Sequence, residues 1–190
     1  MAKPKRKLKR KLNPKPKLKL KLKLKPKLKS KPKALSIIGS FHSSSVDETR
    51  KHAEKIAKDI AQWPAVILLD GPLGAGKTEW SRAFIQRYLG DKKMVVTSPT
   101  YSVLNAYKKA RKSVYHFDLY RLTSGDDLES IGFWDYVQNK NVLVVEWGNN
   151  LSEWGVERWP EGTSVYHVRI KLVSATEREI DVSPLFSQES

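Results

Sequence analysis

Cysteine is absent from the 190 residues. That absence removes disulfides, thiolate zinc sites and cysteine nucleophiles together, and it agrees with a reducing compartment. Long apolar runs are absent too. The longest, Ala65–Leu69, falls far below the roughly 18–20 residues that span a bilayer, so no membrane insertion is expected. The N-terminus lacks an uninterrupted apolar core of the secretory kind, and the expected location is the cytoplasm. Acidic residues are missing from one region only. Residues 1–34 hold 17 Lys and Arg with no Asp or Glu, within a chain of 36 basic and 20 acidic residues and a net charge of +16. Residues 35–190 therefore carry 19 basic against 20 acidic residues.

The charge divides the chain into a Lys-rich low-complexity tail, 1–34, and a nearly neutral domain, 35–190, large enough to bury a full core. In the tail Lys alternates with Leu or Pro, and five of the ten prolines lie there. Proline at that density forbids a continuous helix, and like charges at every second position repel, so disorder is the expectation. Such a segment is expected to serve as an arm for polyanions, either RNA or an anionic membrane face, or else to be a solvated tail without a partner or a translated repeat upstream of the true start.

The domain reads as alternating strands and helices. Ser45 and Glu48 form a capping box ahead of Ala53, Ile56, Ala57 and Ile60, which recur at helical spacing up to Pro64. Ala65–Leu69 and Val142–Val145 read as strands buried on both faces, the parallel-sheet type. A helix is expected from Lys77 to Leu89 with Gly90 as its stop. Strands are expected at Val103–Tyr107 and Val114–Phe117 on either side of the polar stretch Lys108–Ser113, with a short acidic helix at Asp126–Ile131. Alternation at Tyr166–Leu172, a turn at Ser174–Thr176 and a partner strand at Arg178–Val182 complete the pattern. The expected fold is α/β: a central sheet, mainly parallel with antiparallel edge strands, flanked by helices.

Between the first buried strand and the second helix stands Gly71-Pro72-Leu73-Gly74-Ala75-Gly76-Lys77-Thr78, which fits G-x-x-x-x-G-K-[ST] without a mismatch. Glycines let successive backbone N–H groups point at phosphate oxygens, and the helix beginning there adds its positive end. Lys77 is placed to reach the β- and γ-phosphates, and the Thr78 hydroxyl to coordinate Mg²⁺. Phosphoryl transfer also needs a carboxylate to hold the metal or orient water. Asp118 and Glu146 each end an apolar strand, and the pattern leaves open which does which. Arg82 and Arg121 are candidates for an additional cation at the transferring group, or for ordinary ion pairs. His42, His52 and His167 lack metal-ligand spacing. His116 reads as a packing residue, as do Trp63, Trp134, Trp154 and Trp159.

The order of Gly71–Thr78, Ser98-Pro99-Thr100-Tyr101, His116-Phe117-Asp118-Leu119-Tyr120-Arg121-Leu122 and Glu146-Trp147 resembles the bacterial TsaE (formerly YjeE) family over about Ser45 to Val182. The resemblance implies a small P-loop ATPase using ATP and Mg²⁺. It implies work with TsaD and TsaB to place threonylcarbamoyl on the adenosine beside the tRNA anticodon, without carrying out that transfer itself. It implies Mg²⁺ on Thr78 and Glu146, Asp118 as a second essential acid, Trp147 beside the nucleotide and Ser98–Tyr101 on a loop near the phosphates. Two residues depart from the family pattern. Glu79 replaces a second hydroxyl after Thr78, so its carboxylate must turn outward or weaken nucleotide affinity. Pro72 stands where an acid is frequent. A small-molecule kinase and a nucleotide sensor impaired by Glu79 are the alternatives.

Overall fold

The computed structural model describes residues 38–60, 64–139, 141–156, 159–160 and 163–185. The Lys-rich tail and Trp63 lie outside them.

Among the described residues twelve elements follow one another: β1 Gly39–Ser43, α1 Val46–Asp59, β2 Ala65–Asp70, α2 Lys77–Leu89, β3 Leu104–Lys109, β4 Lys112–Asp118, α3 Gly125–Ser130, α4 Phe133–Gln138, β5 Val142–Glu146, α5 Asn149–Glu153, β6 Ser164–Leu172 and β7 Arg178–Pro184. The strands make one sheet in the order β1-β7-β6-β2-β5-β4-β3. The inner four, β6, β2, β5 and β4, pair in parallel, and β1, β7 and β3 pair antiparallel outside them. This is the expected α/β arrangement.

The two buried strands occupy the middle because both of their faces are apolar. Side chains alternate across the sheet along each. Ala65, Ile67 and Leu69 of β2, with Val142 and Val144 of β5, join a cluster with Ile56 of α1 and Trp80 and Phe84 of α2. Val66, Leu68, Leu143 and Val145 point the other way, toward Leu128 of α3, Phe133 of α4 and Leu151 of α5. Helices therefore cover both faces. Trp134, Trp154 and Trp159 pack against the second cluster, as expected of packing residues.

Local chemistry sets the helix ends. Ser45 Oγ accepts from the Glu48 N–H at 3.3 Å. The Glu48 carboxylate accepts from the N–H and hydroxyl of Ser44 at 2.7 and 2.9 Å, so the reciprocal half of the capping box closes one residue earlier than the motif predicts. Gly90 ends α2 in the left-handed conformation at φ 67°.

Several elements differ from expectation. β1 and the short helices α4 and α5 carry too little periodicity to be read. The strands extend into the polar segment Lys108–Ser113: only Ala110 and Arg111 turn, with Ala110 at φ 52°, and the lysines continue both strands. An edge hairpin tolerates such residues because their stems cover the strand while the charges stay in water. The first helix stops at Asp59, with Ile60 as its cap.

His52 lies buried on α1, accepts from Trp80 Nε1 at 3.2 Å and stacks on Phe41. Burial pushes its pKa from 6.5 down to about 4. Protonation therefore favours the unfolded chain, and the stabilisation is complete above about pH 6.5 and lost as pH falls toward 4. Urea unfolding across that window is expected to show a loss of up to about 3 kcal/mol from this group. His52→Gln should flatten the profile, and an equally steep profile in the variant would contradict the assignment.

Candidate functional site

The loop after β2 sits at the carboxyl edge of the inner sheet. Gly71 has φ 151°, and a Cβ there would lie 2.4 Å from the Ile170 carbonyl oxygen of β6. Backbone approach this close admits no side chain. At the other end Gly76 caps α2 at φ 105° with no side-chain hydrogen bond, leaving the first-turn amides of the helix free of an internal partner. Arg178 of β7 donates to the Ala75 carbonyl at 3.3 Å and braces the loop from outside.

Lys77 is only 6% exposed. Its Nζ donates to the carbonyls of Gly71 at 2.6 Å and Pro72 at 3.0 Å, and lies 4.1 Å from the centroid of the Trp147 ring. Burial lowers the ammonium pKa, and the charges of Glu146, Asp118 and Asp70 oppose that shift. The ammonium is thus curled over its own loop by neutral oxygens and a ring face, with three carboxylates nearby.

Parallel register sets Asp118, the last residue of β4, beside Glu146, the last of β5. Glu146 is a hub. Its Oε2 accepts from Thr78 at 3.3 Å, and its Oε1 accepts from Ser81 at 3.3 Å and lies 2.8 Å from His116 Nε2. A carboxylate oxygen can only accept, so the His116 proton that serves the hub is the one on Nε2, and Nδ1 has no partner among the described residues. Asp118 Oδ2 accepts from Thr100 at 2.5 Å and Ser98 at 3.4 Å, and Oδ1 from the Tyr120 N–H at 3.0 Å. The Ser98–Tyr101 segment is therefore tied to the second acid. Trp147 follows Glu146 at φ 61°, and its N–H bonds Leu69 O at 2.9 Å. Behind the loop, buried Asp70 hydrogen-bonds His167 of β6 and accepts from the Asn149 N–H at 2.9 Å.

Glu79 turns away from the loop. Its carboxylate pairs with Arg50 of α1 at 2.6 Å and with Arg82 one turn along α2. Arg82 also donates to the Val96 carbonyl at 3.1 Å. Of the two alternatives the sequence left for Glu79, the outward one is found. Arg121 stands 5.6 Å from the Tyr101 ring.

Leu73, Gly74, Gly76, Lys77, Thr78, Glu79, Ser98, Thr100, Asp118, Tyr120, Glu146 and Trp147 line a cavity of about 370 Å³. The structure gathers Lys77, Thr78, Asp118, Glu146 and Trp147 there. Gly71 shapes the loop from beneath, and Pro72 and Ala75 bridge it through Pro72 O and Ala75 N at 3.1 Å. Sequence reasoning missed Ser81 and gave His116 a packing role, whereas both hold Glu146. Their signal is helical spacing from Thr78 for Ser81, and two-residue strand spacing from Asp118 for His116.

The donor set fits a phosphate-bound divalent cation. Among the described residues no cluster of three His, Asp or Glu could hold a metal by protein ligands alone. One hydroxyl and one carboxylate in contact are what Mg²⁺ uses when phosphate oxygens and water supply the remainder.

A mainly parallel inner sheet with this glycine loop at its carboxyl edge defines a P-loop α/β domain. Its sequence matches, over residues 43–180, the family described as threonylcarbamoyl adenosine biosynthesis protein TsaE, and the chain belongs to that family. The tRNA threonylcarbamoyladenosine biosynthesis protein TsaE of Haemophilus influenzae is 33% identical over 147 residues, spanning 73% of this chain and 88% of that one. The Rickettsia conorii protein of the same name is 36% identical over 104 residues, where the match spans 55% of this chain and 58% of the relative's length. The crystal structure of YdiB from Bacillus subtilis superposes with a TM-score of 0.59 at 26% identity, covering 80% of this chain and 90% of that one.

Gly71→Ala is expected to lower stability by about 2 kcal/mol or more, through the clash with Ile170 and the strained φ. Thermal unfolding checks this. A variant as stable as wild type would mean that the loop does not depend on this approach.

Proposed function

We propose that the chain is the ATP-binding and hydrolysing subunit that supports threonylcarbamoyl transfer to the adenosine beside the tRNA anticodon, acting with TsaD and TsaB in the cytoplasm. The observation that carries this reading is the convergence of Lys77, Thr78, Asp118 and Glu146 on one cavity behind a glycine loop. Family membership supports the pathway.

The triphosphate would take the place of the Gly71 and Pro72 carbonyls as partner of the Lys77 ammonium. Moving a buried cation from neutral oxygens to an anion is favourable, since the site's desolvation has already been met by the fold. The free amides at the start of α2 would accept the same phosphates. Thr78 and Glu146 would hold Mg²⁺, which when bound would offset charge on the β- and γ-phosphates. His116 and Ser81 fix the Glu146 carboxylate for that task. Asp118 would orient the attacking water while tethering the Ser98–Tyr101 segment to the phosphate side. Water adds to the γ-phosphorus, the bond to the bridging oxygen of ADP breaks, and the proton passes to solvent.

Hydrolysis would be slow in the isolated chain. Lys77 is the single cation among the described residues lining the cavity. Arg82 is held by Glu79 and Val96, and Arg121 stands against Tyr101, so neither serves as an arginine finger in this arrangement. Leu73 and Tyr120 are exposed at the cavity's lip, where a partner surface could complete the charge set. The sensor alternative rests on Glu79 repelling phosphate, and its pairing with Arg50 and Arg82 favours the hydrolysing reading over it.

Phosphate release with TsaD and TsaB present tests the proposal. Lys77→Ala is expected to weaken ATP binding at least about 100-fold. Glu146→Ala and Asp118→Ala should bind ATP within about tenfold of wild type, with turnover down at least about 100-fold. Wild-type rates in the acid variants would contradict the assignment, as would phosphate recovered on a small-molecule acceptor.

A further inference from the structure

The two ends of α2 differ in character. Its first residue, Lys77, belongs to the nucleotide cavity. Its last turn lies roughly 20 Å away, at 1.5 Å per residue, beside the β3–β4 turn. Here a groove of about 670 Å³ opens between the ends of α1 and α2 and the hairpin, larger than the nucleotide cavity. Five cations line it: Lys58, Arg87, Lys109, Arg111 and Lys112.

The charge is concentrated rather than spread. Between Arg87 and Lys112 the chain has seven basic residues and one acid, Asp91, in a domain that is net −1 from residue 35 onward. Asp91 is spent on Lys109. Lys109 and Lys112 also donate to the carbonyls of Gly90 and Tyr88, which turns the α2 carboxyl end from a negative terminus into part of the cationic face. Lys58, Arg87 and Arg111 form no ion pair with a described residue, so their charges are available to a ligand.

We propose that this groove contacts the phosphate backbone of RNA, at the end of the domain away from the nucleotide. An acidic protein is the competing ligand. A stable protein interface has an apolar centre, and the large apolar side chains exposed on the described surface (Ile38, Val46, Leu73, Val95, Tyr101, Tyr120, Leu172 and Val173) do not line the groove. Nucleic-acid interfaces are strongly cationic, as this groove is, with five basic side chains beside small apolar residues and the Tyr88 ring. Contacts of this kind position RNA without reading its sequence. The choice of tRNA as the RNA to test rests on the pathway proposed above, whereas the groove's charge does not.

The experiment is a salt series of affinity for an unmodified tRNA transcript, using the full chain with its tail. Counterion release adds terms to the slope of log affinity against log salt, so the tail contributes a constant that cancels between variants. Arg87→Gln with Arg111→Gln should reduce the slope by roughly 1.5–2. That amounts to about a tenfold smaller loss of affinity between about 50 and 200 mM salt. Arg87→Lys with Arg111→Lys, which keeps both charges, should retain the wild-type slope. Arg169→Gln with Lys171→Gln, which removes equal charge from β6, should leave it within error. An unchanged slope in the first pair would overturn the proposal, as would equal reductions in both Gln pairs. Wild-type RNA binding in the Arg87/Arg111 pair with loss of TsaD–TsaB association would overturn it in favour of an acidic protein surface. The nucleotide reading fails separately, on absence of ATP uptake by the wild-type chain.

Discussion

A single ammonium group, buried and with no carboxylate in contact among the described residues, organises the carboxyl edge of this sheet. Lys77 is enclosed by its own loop, and burial lowers its pKa while three nearby carboxylates resist the change. Two carbonyls and the Trp147 ring accept its charge directly, and the carboxylates support it at longer range. Each of those partners depends on something else. The carbonyls are where they are because Gly71 passes against Ile170 without a side chain. The indole is where it is because Trp147 adopts a left-handed backbone at the end of β5 and bonds back to β2.

The carboxylates follow from topology. β2 lies between β5 and β6, with β4 next to β5, so every inner strand delivers its last residue to the same edge. Asp70, Asp118 and Glu146 arrive together for that reason, and their roles are divided by neighbours. Asp70 is taken by His167 and Asn149 and supports the loop's base. Asp118 holds the Ser98–Tyr101 segment. Glu146 faces Thr78 and is fixed by Ser81 and His116. Glu79 brings a fourth negative charge near the same edge, where Arg50 of α1 and Arg82 of α2 pair with it.

Much of this was legible in the residues. β2 and β5 were readable because they are apolar on both faces. α2 was readable because a glycine loop precedes it and Gly90 follows it. The P-loop and the two strand-end acids could be placed because their spacing is fixed by backbone chemistry that permits few substitutes. β1 remained hidden because a five-residue strand at a sheet edge carries little pattern of its own. The strands of the β3–β4 hairpin were read short because their apolar pattern stops at the lysines, whereas at an edge polarity is a sign of exposure. His116 and Ser81 were missed as site residues since their task is to hold Glu146, and only the fold brings His116 and Glu146, thirty residues apart, into contact. Arg50 as partner of Glu79 was out of reach for the same reason.

The central claim is that the cradle around Lys77 binds a magnesium-complexed triphosphate. Calorimetric titration of the folded full chain with ATP, in the presence and absence of Mg²⁺, tests it directly. The account predicts saturable uptake at one site per chain, tighter when Mg²⁺ is supplied because Thr78 and Glu146 then gain a ligand. Absence of heat for both ATP and ADP with the metal present, from protein with a cooperative unfolding transition, would contradict it.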